Sequence, residues 1–526
     1  MNNNSRSKNT ILNFTSSIGG QLLTILMQFV VRTVFIHTLG GAYLGINALF
    51  TNILTMLALA EMGVGSAIIY KLYDPLAKKD VKRINILMNF YKKVYRYIGL
   101  AISVLGVALI PFLPKLINDY DRLEKLNINA VLIFLLFLAN SVSSYLFFAY
   151  KSAILRADQK EYYINLIGYL FTIGLAVVQI VELLIFRNFL LYVITLVLKT
   201  ILENVAIAVF ANKNYPFLKE KTTEKLDKKE AVGIFKDCGA LFIYKLNNVV
   251  VKSTDNIVLS AFLGLQSVAL YANYYIFFQG LTQLFNRVYN AVGHSIGNLH
   301  TTHDTKKEYS VFESTMMIAA ILGGTVCAGI FAVSDEFIAQ WLGPDWVLAQ
   351  PFALLMGLEL YTASFKYAMA KYRTAYGLFK QGWARPLFSM IINLVISLAL
   401  VKPLGIVGVL IGTLAADWFT FIWYDPLVVH RVGFQNEFPV SRYYLKFAKY
   451  TLTTLAVCGL DYLICTNFLT GMSWFSVIVH AIICGITAPL AIVLVSFKTP
   501  EAKYVVKLAK NEISSVTRKF KKKKKS

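Results

Sequence analysis

Charge is scarce in this chain of 526 residues: 15% are Asp, Glu, Lys or Arg, where a soluble domain carries about 25%. That shortage argues against a soluble globular protein. Cysteine is scarce as well. Cys238, Cys327, Cys458, Cys465 and Cys484 form no CxxC and no Cys/His spacing, which excludes a disulfide framework, a zinc finger and a thioredoxin-like redox motif. Histidine is limited to six residues; His294, His300 and His303 cluster beyond an apolar run with no Cys or acid at ligand spacing, so no metal site is expected. Nor does the chain have the polar, aromatic-poor composition of a disordered one, since 14% of it is aromatic.

What it has is grease and positive charge. Hydrophobic residues make up 57%, the mean hydropathy is +0.57 and the net charge is +23. A basic balance alone fits nucleic acid, but a nucleic-acid binder does not carry so apolar a chain. The position of the cations therefore decides.

Apolar runs long enough to cross a bilayer, about 20 residues each, fall near 11–39, 43–70, 97–117, 128–150, 162–186, 188–211, 238–263, 268–293, 314–334, 347–370, 384–401, 405–428, 445–467 and 474–496. The first holds Gln21, Gln28 and Arg32 and lacks a small-residue cleavage site, so it reads as a retained anchor rather than a cleaved signal. With the N-terminus placed in the cytoplasm and the runs alternating, 43 of the 52 Lys and Arg fall in the cytoplasmic connections or the run ends that adjoin them, five on the outer side and four deeper within runs. A wrong number of spans would scramble that asymmetry. The sequence thus predicts an all-α polytopic membrane protein of about 14 transmembrane helices with both termini inside.

The most polar connection, 212–236, is cytoplasmic and follows the sixth span. It separates an N-terminal lobe (1–211, spans 1–6) from a C-terminal lobe (237–430, spans 7–12), with spans 13–14 in 431–497 and a basic cytoplasmic tail over 498–526. Leu39-Gly40 after the first span and Leu263-Gly264 after the seventh echo one another at an offset of 224. Paired halves of this kind are the usual architecture of secondary transporters. The expected outer connections are short, the longest being 114–127 and 334–346, and none has room for an external catalytic domain. A membrane acyltransferase would need a buried His with an acid, and His480 has no acid near it in sequence. An enzyme is not expected.

Charges inside a bilayer cost roughly 3 kcal/mol each on insertion scales, so they face a bundle interior or an aqueous cavity. The cations so placed are Arg32, Lys199, Lys252 and Arg287; the acids are Glu61, Glu182, Glu203, Asp255, Glu359, Asp417 and Asp461. Lys199 and Glu203, four apart, are expected to satisfy each other on one helix face.

Two stretches resemble a known family. Arg32, Leu39-Gly40, Tyr43-Leu44-Gly45-Ile46-Asn47, Ala60-Glu61, Gly63, Gly65 and Tyr73-Asp74-Pro75-Leu76-Ala77 resemble the start of Gram-positive Wzx-type polysaccharide repeat-unit flippases of the MOP superfamily, relatives of the MATE exporters and of the lipid II flippase. Thr254-Asp255-Asn256-Ile257, Phe262-Leu263-Gly264 and Val268-Ala269-Leu270-Tyr271-Ala272-Asn273 resemble the family's signature over spans seven and eight, and Leu404-Gly405-Ile406-Val407-Gly408-Val409 its turn between spans eleven and twelve. Ala269 stands where the family often has Gly, and Asp425-Pro426 where it has Glu-Pro.

The resemblance implies two pseudo-symmetric six-helix lobes of the MATE/MOP kind plus a final helix pair, in the bacterial plasma membrane. It implies alternating-access transfer of an undecaprenyl-diphosphate-linked oligosaccharide repeat unit to the outer leaflet, for capsule or exopolysaccharide assembly. The implied partners are the lipid-linked glycan, membrane lipids, and polymerase and glycosyltransferases of the same pathway, with no nucleic acid and no cofactor. Drive would come from the membrane potential or an H+ or Na+ gradient. For such a cargo Arg32, Lys252 and Arg287 are candidate diphosphate ligands, because guanidinium and ammonium groups hold phosphate oxygens by charge-assisted hydrogen bonds; the alternative is that each cation neutralises a nearby acid. Glu61, Glu359 and Asp417 are candidates for a coupling ion. Arg32 and Asp255, at similar depth before Leu39-Gly40 and Leu263-Gly264, are candidates for an outer gate. The competing readings are a cation-coupled small-molecule exporter of the same fold and a flippase for lipid II or a teichoic acid precursor.

Overall fold

The computed structural model describes residues 20, 23–58, 64–118, 120, 123, 128–220, 224, 226–300, 304–378, 381–467 and 473–507. Among them every regular element is helical. The helices that bear on function are α1 (Leu23–Leu39), α2 (Gly41–Leu57), α3 (Val64–Lys78), α4 (Val81–Leu109), α5 (Ala130–Leu146), α6 (Ser152–Ala157), α7 (Glu161–Phe186) and α8 (Phe189–Asn214). They continue with α9 (Lys228–Leu263), α10 (Leu265–His300), α11 (Thr305–Leu342), α12 (Gln350–Ala375), α13 (Arg385–Leu404), α14 (Ile406–Val428), α15 (Val440–Asn467) and α16 (Trp474–Val495).

The described residues of the fourteen apolar runs are largely helical. Among the described residues seven helices are long and apolar enough to span by themselves, and α5 with residues Ala149–Ala157 makes an eighth, bent by 42°. Four long helices, α9, α10, α12 and α15, miss that test because their sequences are studded with polar groups such as Asp255, Arg287, Glu359 and Asp461. The chain is a multi-pass membrane protein. Local chemistry sets many of the boundaries. Side chains of Asp80, Asn129, Asn188, Asp304 and Ser473 accept hydrogen bonds from the free N–H groups that begin α4, α5, α8, α11 and α16.

By packing, the chain divides into two compact units, Met1–Ala269 and Leu270–Ser526. The division does not coincide with the 212–236 connection: α9, the seventh span, packs against α2 and α3 in the first unit. There Phe50 of α2 meets Phe134 and Phe137 of α5 edge-on, and Arg83 of α4 pairs with Glu230 of α9. The Leu39-Gly40 and Leu263-Gly264 corners share one backbone conformation, with φ of 89° and 81° and ψ of −178° and 174°, a region that in practice only glycine enters. The two corners also touch. A Cβ on Gly45 would lie 2.2 Å from the Leu265 carbonyl oxygen, so the backbones meet where no side chain fits. The helices α7 and α8 show lipid-facing character: Leu170, Leu184, Phe186 and Val209 lie exposed along them.

In the second unit α11 is the central helix, packed by α12, α15 and α16, while α13 and α14 form a hairpin that meets α12. Its 38 residues span about 57 Å at 1.5 Å per residue. The expected outer connection at 334–346 is corrected here: helix continues to Leu342 and stops only at Gly343. The two adjacent acids in that stretch are each satisfied on the helix. Asp335 accepts from Tyr274 Oη at 2.7 Å and Gln350 Nε2 at 3.1 Å, and Glu336 faces α16. Nearer the other end of α11, Glu313 pairs with Arg442 and Lys446 of α15. The tail begins as helix at 500, where Glu501, 1% exposed, takes a second bond from Lys446 at 2.5 Å.

Candidate functional site

In the first unit α1 turns its Arg32 face toward α8. Phe35, one turn beyond Arg32, packs edge-on against Phe189 and Tyr192 with ring centroids 5.8 and 5.0 Å apart, and Tyr192 is within electrostatic reach of the Arg32 guanidinium. Along the same α8 face Thr195 donates to Glu182 of α7 at 3.1 Å, and Lys199 pairs with Glu203 at 2.5 Å. That last pair is the one its spacing predicts. Arg32, half-buried, thus stands at the head of a file of polar groups whose charges balance only with it: Arg32 and Lys199 against Glu182 and Glu203.

Asp255 lies on α9 at 2% exposure, with Ser253, Asn256 and Ser260 buried around it on the same helix. Asn256 Oδ1 and Ser260 Oγ have no hydrogen-bond partner among the described residues, so this stretch keeps polar capacity in reserve. Lys252 sits one turn earlier on α9; its side chain, and the whole of Glu61, lie outside the described residues. The side chains of His294 and His300, and the whole of His303, do so too. Among the described residues no group of His, Cys, Asp and Glu has the arrangement of a metal site.

The second unit ties one predicted acid to a neighbouring helix. Asp417 of α14 accepts from Lys366 Nζ of α12 through both oxygens, at 2.6 and 2.7 Å. Lys366, which by sequence falls among the cytoplasmic cations, is therefore an internal partner. Two turns along the same face of each helix, Arg373 of α12 pairs with Asp425 of α14. Arg373 also donates to the backbone oxygens of Leu378 and Gln381, so one guanidinium ties α14 to the connection that follows α12. Arg385 reaches Asp425 at 3.4 Å. Between the two acids Phe421 carries Lys366 over its ring at 5.5 Å and Arg385 at 4.7 Å. Glu359, buried, is seven residues before Lys366 and so on the same face of α12. Arg287 is half-buried on α10; nearby on that helix Tyr289 bonds Ser364 of α12 at 2.8 Å.

Sequence reasoning brought forward Asp417 but missed Lys366, Arg373, Asp425 and Arg385. The signal was present: Lys366 and Arg373 are seven apart and Asp417 and Asp425 eight apart, the spacing of one helix face. A carboxylate held through both oxygens by an ammonium is not an open cation site; any cation at Asp417 must displace Lys366.

The family model described as polysaccharide biosynthesis protein matches residues 39–351. Among solved structures the chain is similar to the lipid II flippase MurJ in an inward closed conformation, with a TM-score of 0.66 and 16% identity over 91% of this chain and 98% of that one. It is similar also to an inward-facing multidrug resistance MATE family transporter of the MOP superfamily, with a TM-score of 0.58 and 15% identity over 78% and 95%. A MATE transporter of Vibrio cholerae gives 0.52 and 13% over 81% and 98%. At these identities the likeness is one of fold. No curated protein matches the chain. The all-helical, multi-pass MATE-like architecture expected from the sequence is the one these structures share.

Proposed function

Because the chain belongs to the polysaccharide biosynthesis protein family, we propose that it is a flippase that carries an undecaprenyl-diphosphate-linked oligosaccharide repeat unit from the cytoplasmic to the outer leaflet of the bacterial plasma membrane. The observation that carries this reading is the family match over 39–351 together with a fold that covers 98% of the lipid II flippase chain. The process is transport rather than catalysis: the sugar and diphosphate enter a central cavity while the lipid tail stays in the membrane. The N-terminus and the basic tail lie in the cytoplasm, and the lobes divide at 212–236 by repeat rather than by packing.

Arg32, Lys252 and Arg287 are the proposed diphosphate ligands, with Arg32 and Asp255 closing the outer side. No cofactor is needed. Export of a headgroup with two negative charges gains about 4–5 kcal/mol from a potential of about 100 mV, and a cation held at Glu61, Glu359 or Asp417 would add to that drive. Glycosyltransferases and a polymerase of the same pathway supply and consume the cargo.

Depletion of the protein should accumulate lipid-linked repeat unit on the cytoplasmic side; failure to accumulate it would overturn the reading. The similarity to MATE transporters supports a second reading, a cation-coupled exporter of small molecules. Arg32→Gln and Arg287→Gln should each lower flipping about tenfold, equivalent to about 1.4 kcal/mol, whereas an exporter would respond to Glu359→Gln instead. A double-mutant cycle on flipping in which Arg32 and Asp255 act independently would remove the gate.

A further inference from the structure

The final helix pair holds a cluster that neither the diphosphate ligands nor the α12–α14 ion pairs use. Glu336, on α11, accepts from Ser476 Oγ and lies 2.8 Å from Nδ1 of His480, both on α16. His480 is 3% exposed and the Glu336 side chain 17%. One and two turns further along α16 are Cys484 and Thr487. Thr487 donates at 2.7 Å to Asp461 of α15, which is 0% exposed, and Cys465 of α15 interacts with Cys484 and with both acids. The result is a polar file of about 16 Å, eleven residues of helix rise, running from the first turn of α16 inward to Asp461.

The charge in this file does not close without a proton. Its titratable groups are Glu336 from α11, Asp461 and Cys465 from α15, and His480 and Cys484 on α16 itself. No Lys or Arg among the described residues pairs with either acid, and residues 468–472, between α15 and α16, are Phe, Leu, Thr, Gly and Met. With both carboxyls ionised and the imidazole neutral, two negative charges would sit uncompensated among apolar helices, at a cost of several kcal/mol each. A proton on the imidazole cancels one charge across a hydrogen bond already formed, and a proton on Asp461 cancels the other. The arrangement is not a nucleophile triad, because the Ser476 hydroxyl bonds the carboxylate and not the imidazole.

We propose that Glu336, His480 and Asp461 form a proton-binding site in the final helix pair, loaded through Glu336 from the end of the bundle at which α16 begins. In the orientation proposed above that end faces outward. The site's ligand is the proton itself, held between α11 and α16, so loading alters the bond that joins those helices. Proton binding does not depend on the identity of the cargo.

The test uses full-length protein with 15N-labelled histidine in liposomes. The His480 imidazole signal, identified by its loss in His480→Gln, should move between alkaline and acid pH as the ring takes up a proton. Glu336→Gln should displace that titration by about one pH unit or more, with a smaller displacement in Asp461→Asn. A signal that stays fixed over the range, or that titrates identically in Glu336→Gln, would overturn the site. If His480→Gln does not fold, Ser476→Ala supplies the assignment, since it removes one bond to Glu336 and should shift only the signal coupled to it. None of these readouts needs flipping to be measured, so failure of the proton site and failure of the flippase reading are told apart.

Discussion

Lys199–Glu203 in the first unit and the α12–α14 pairs in the second handle charge in opposite ways. In the first, Lys199 and Glu203 are four residues apart on α8 and close on each other, so the pair belongs to one helix and constrains no neighbour. In the second, Lys366–Asp417 and Arg373–Asp425 run from α12 to α14, so each pair fixes one helix against the next. A helix whose charges close on themselves slides past its neighbours at little electrostatic cost. Helices joined by a ladder of ion pairs move together or break several charged bonds at once. The difference separates a lipid-facing helix such as α8 from α14, more than half of whose apolar window is buried.

The comparison breaks most sharply at Arg373. Its side chain is 7% exposed and its partner's 2%, so Arg373→Ala should cost about 3–5 kcal/mol by leaving Asp425 charged and buried. The expected outcome is loss of folded protein by fluorescence-detected size exclusion, with partial recovery in Arg373→Ala/Asp425→Ala. Next comes Lys366→Ala. It should lower stability by about 1–3 kcal/mol, read as a fall in melting temperature in detergent, and Asp417→Asn should restore part of that loss. If Asp417→Asn alone is as damaging to transport as to stability, the acid serves the ladder and not a coupling ion. The smallest effects belong to pairs that are local or half-exposed. Lys199→Ala should cost about 0.5 kcal/mol, and Arg442→Ala, 48% exposed at its side chain, at most about 1 kcal/mol because Lys446 still holds Glu313. A Lys199→Ala effect as large as that of Lys366→Ala would erase the distinction between the units.

The same distinction explains what could be read beforehand. Run length and the sidedness of Lys and Arg located the helices, because the bilayer acts on each stretch of chain separately. The Lys199–Glu203 pair was legible because its partners are local. Lys366 was assigned to the cytoplasmic surface because its partner is 51 residues away, and no local rule reports a contact at that separation. Asp335 and Glu336 fell in an expected outer connection because the apolar run ends at 334; their partners on α10, α12 and α16 keep them in helix. His480 was set aside for want of a neighbouring acid, and that acid proves to be 144 residues away. The Leu39-Gly40 and Leu263-Gly264 echo, only two residues long, proved informative because glycine there supplies a backbone conformation and not a side chain.

The placement of acids along α11 has a mechanical consequence. Glu313 near its start and Glu336 near its end, about 35 Å apart along the axis, each clasp the final pair: the first through Arg442 and Lys446 of α15, the second through His480 of α16. A rod fastened at both ends transmits torque as well as thrust. The final pair is therefore joined to α11 like a crank arm to its shaft: a tilt of α11 turns α15 and α16 with it unless one of those clasps opens.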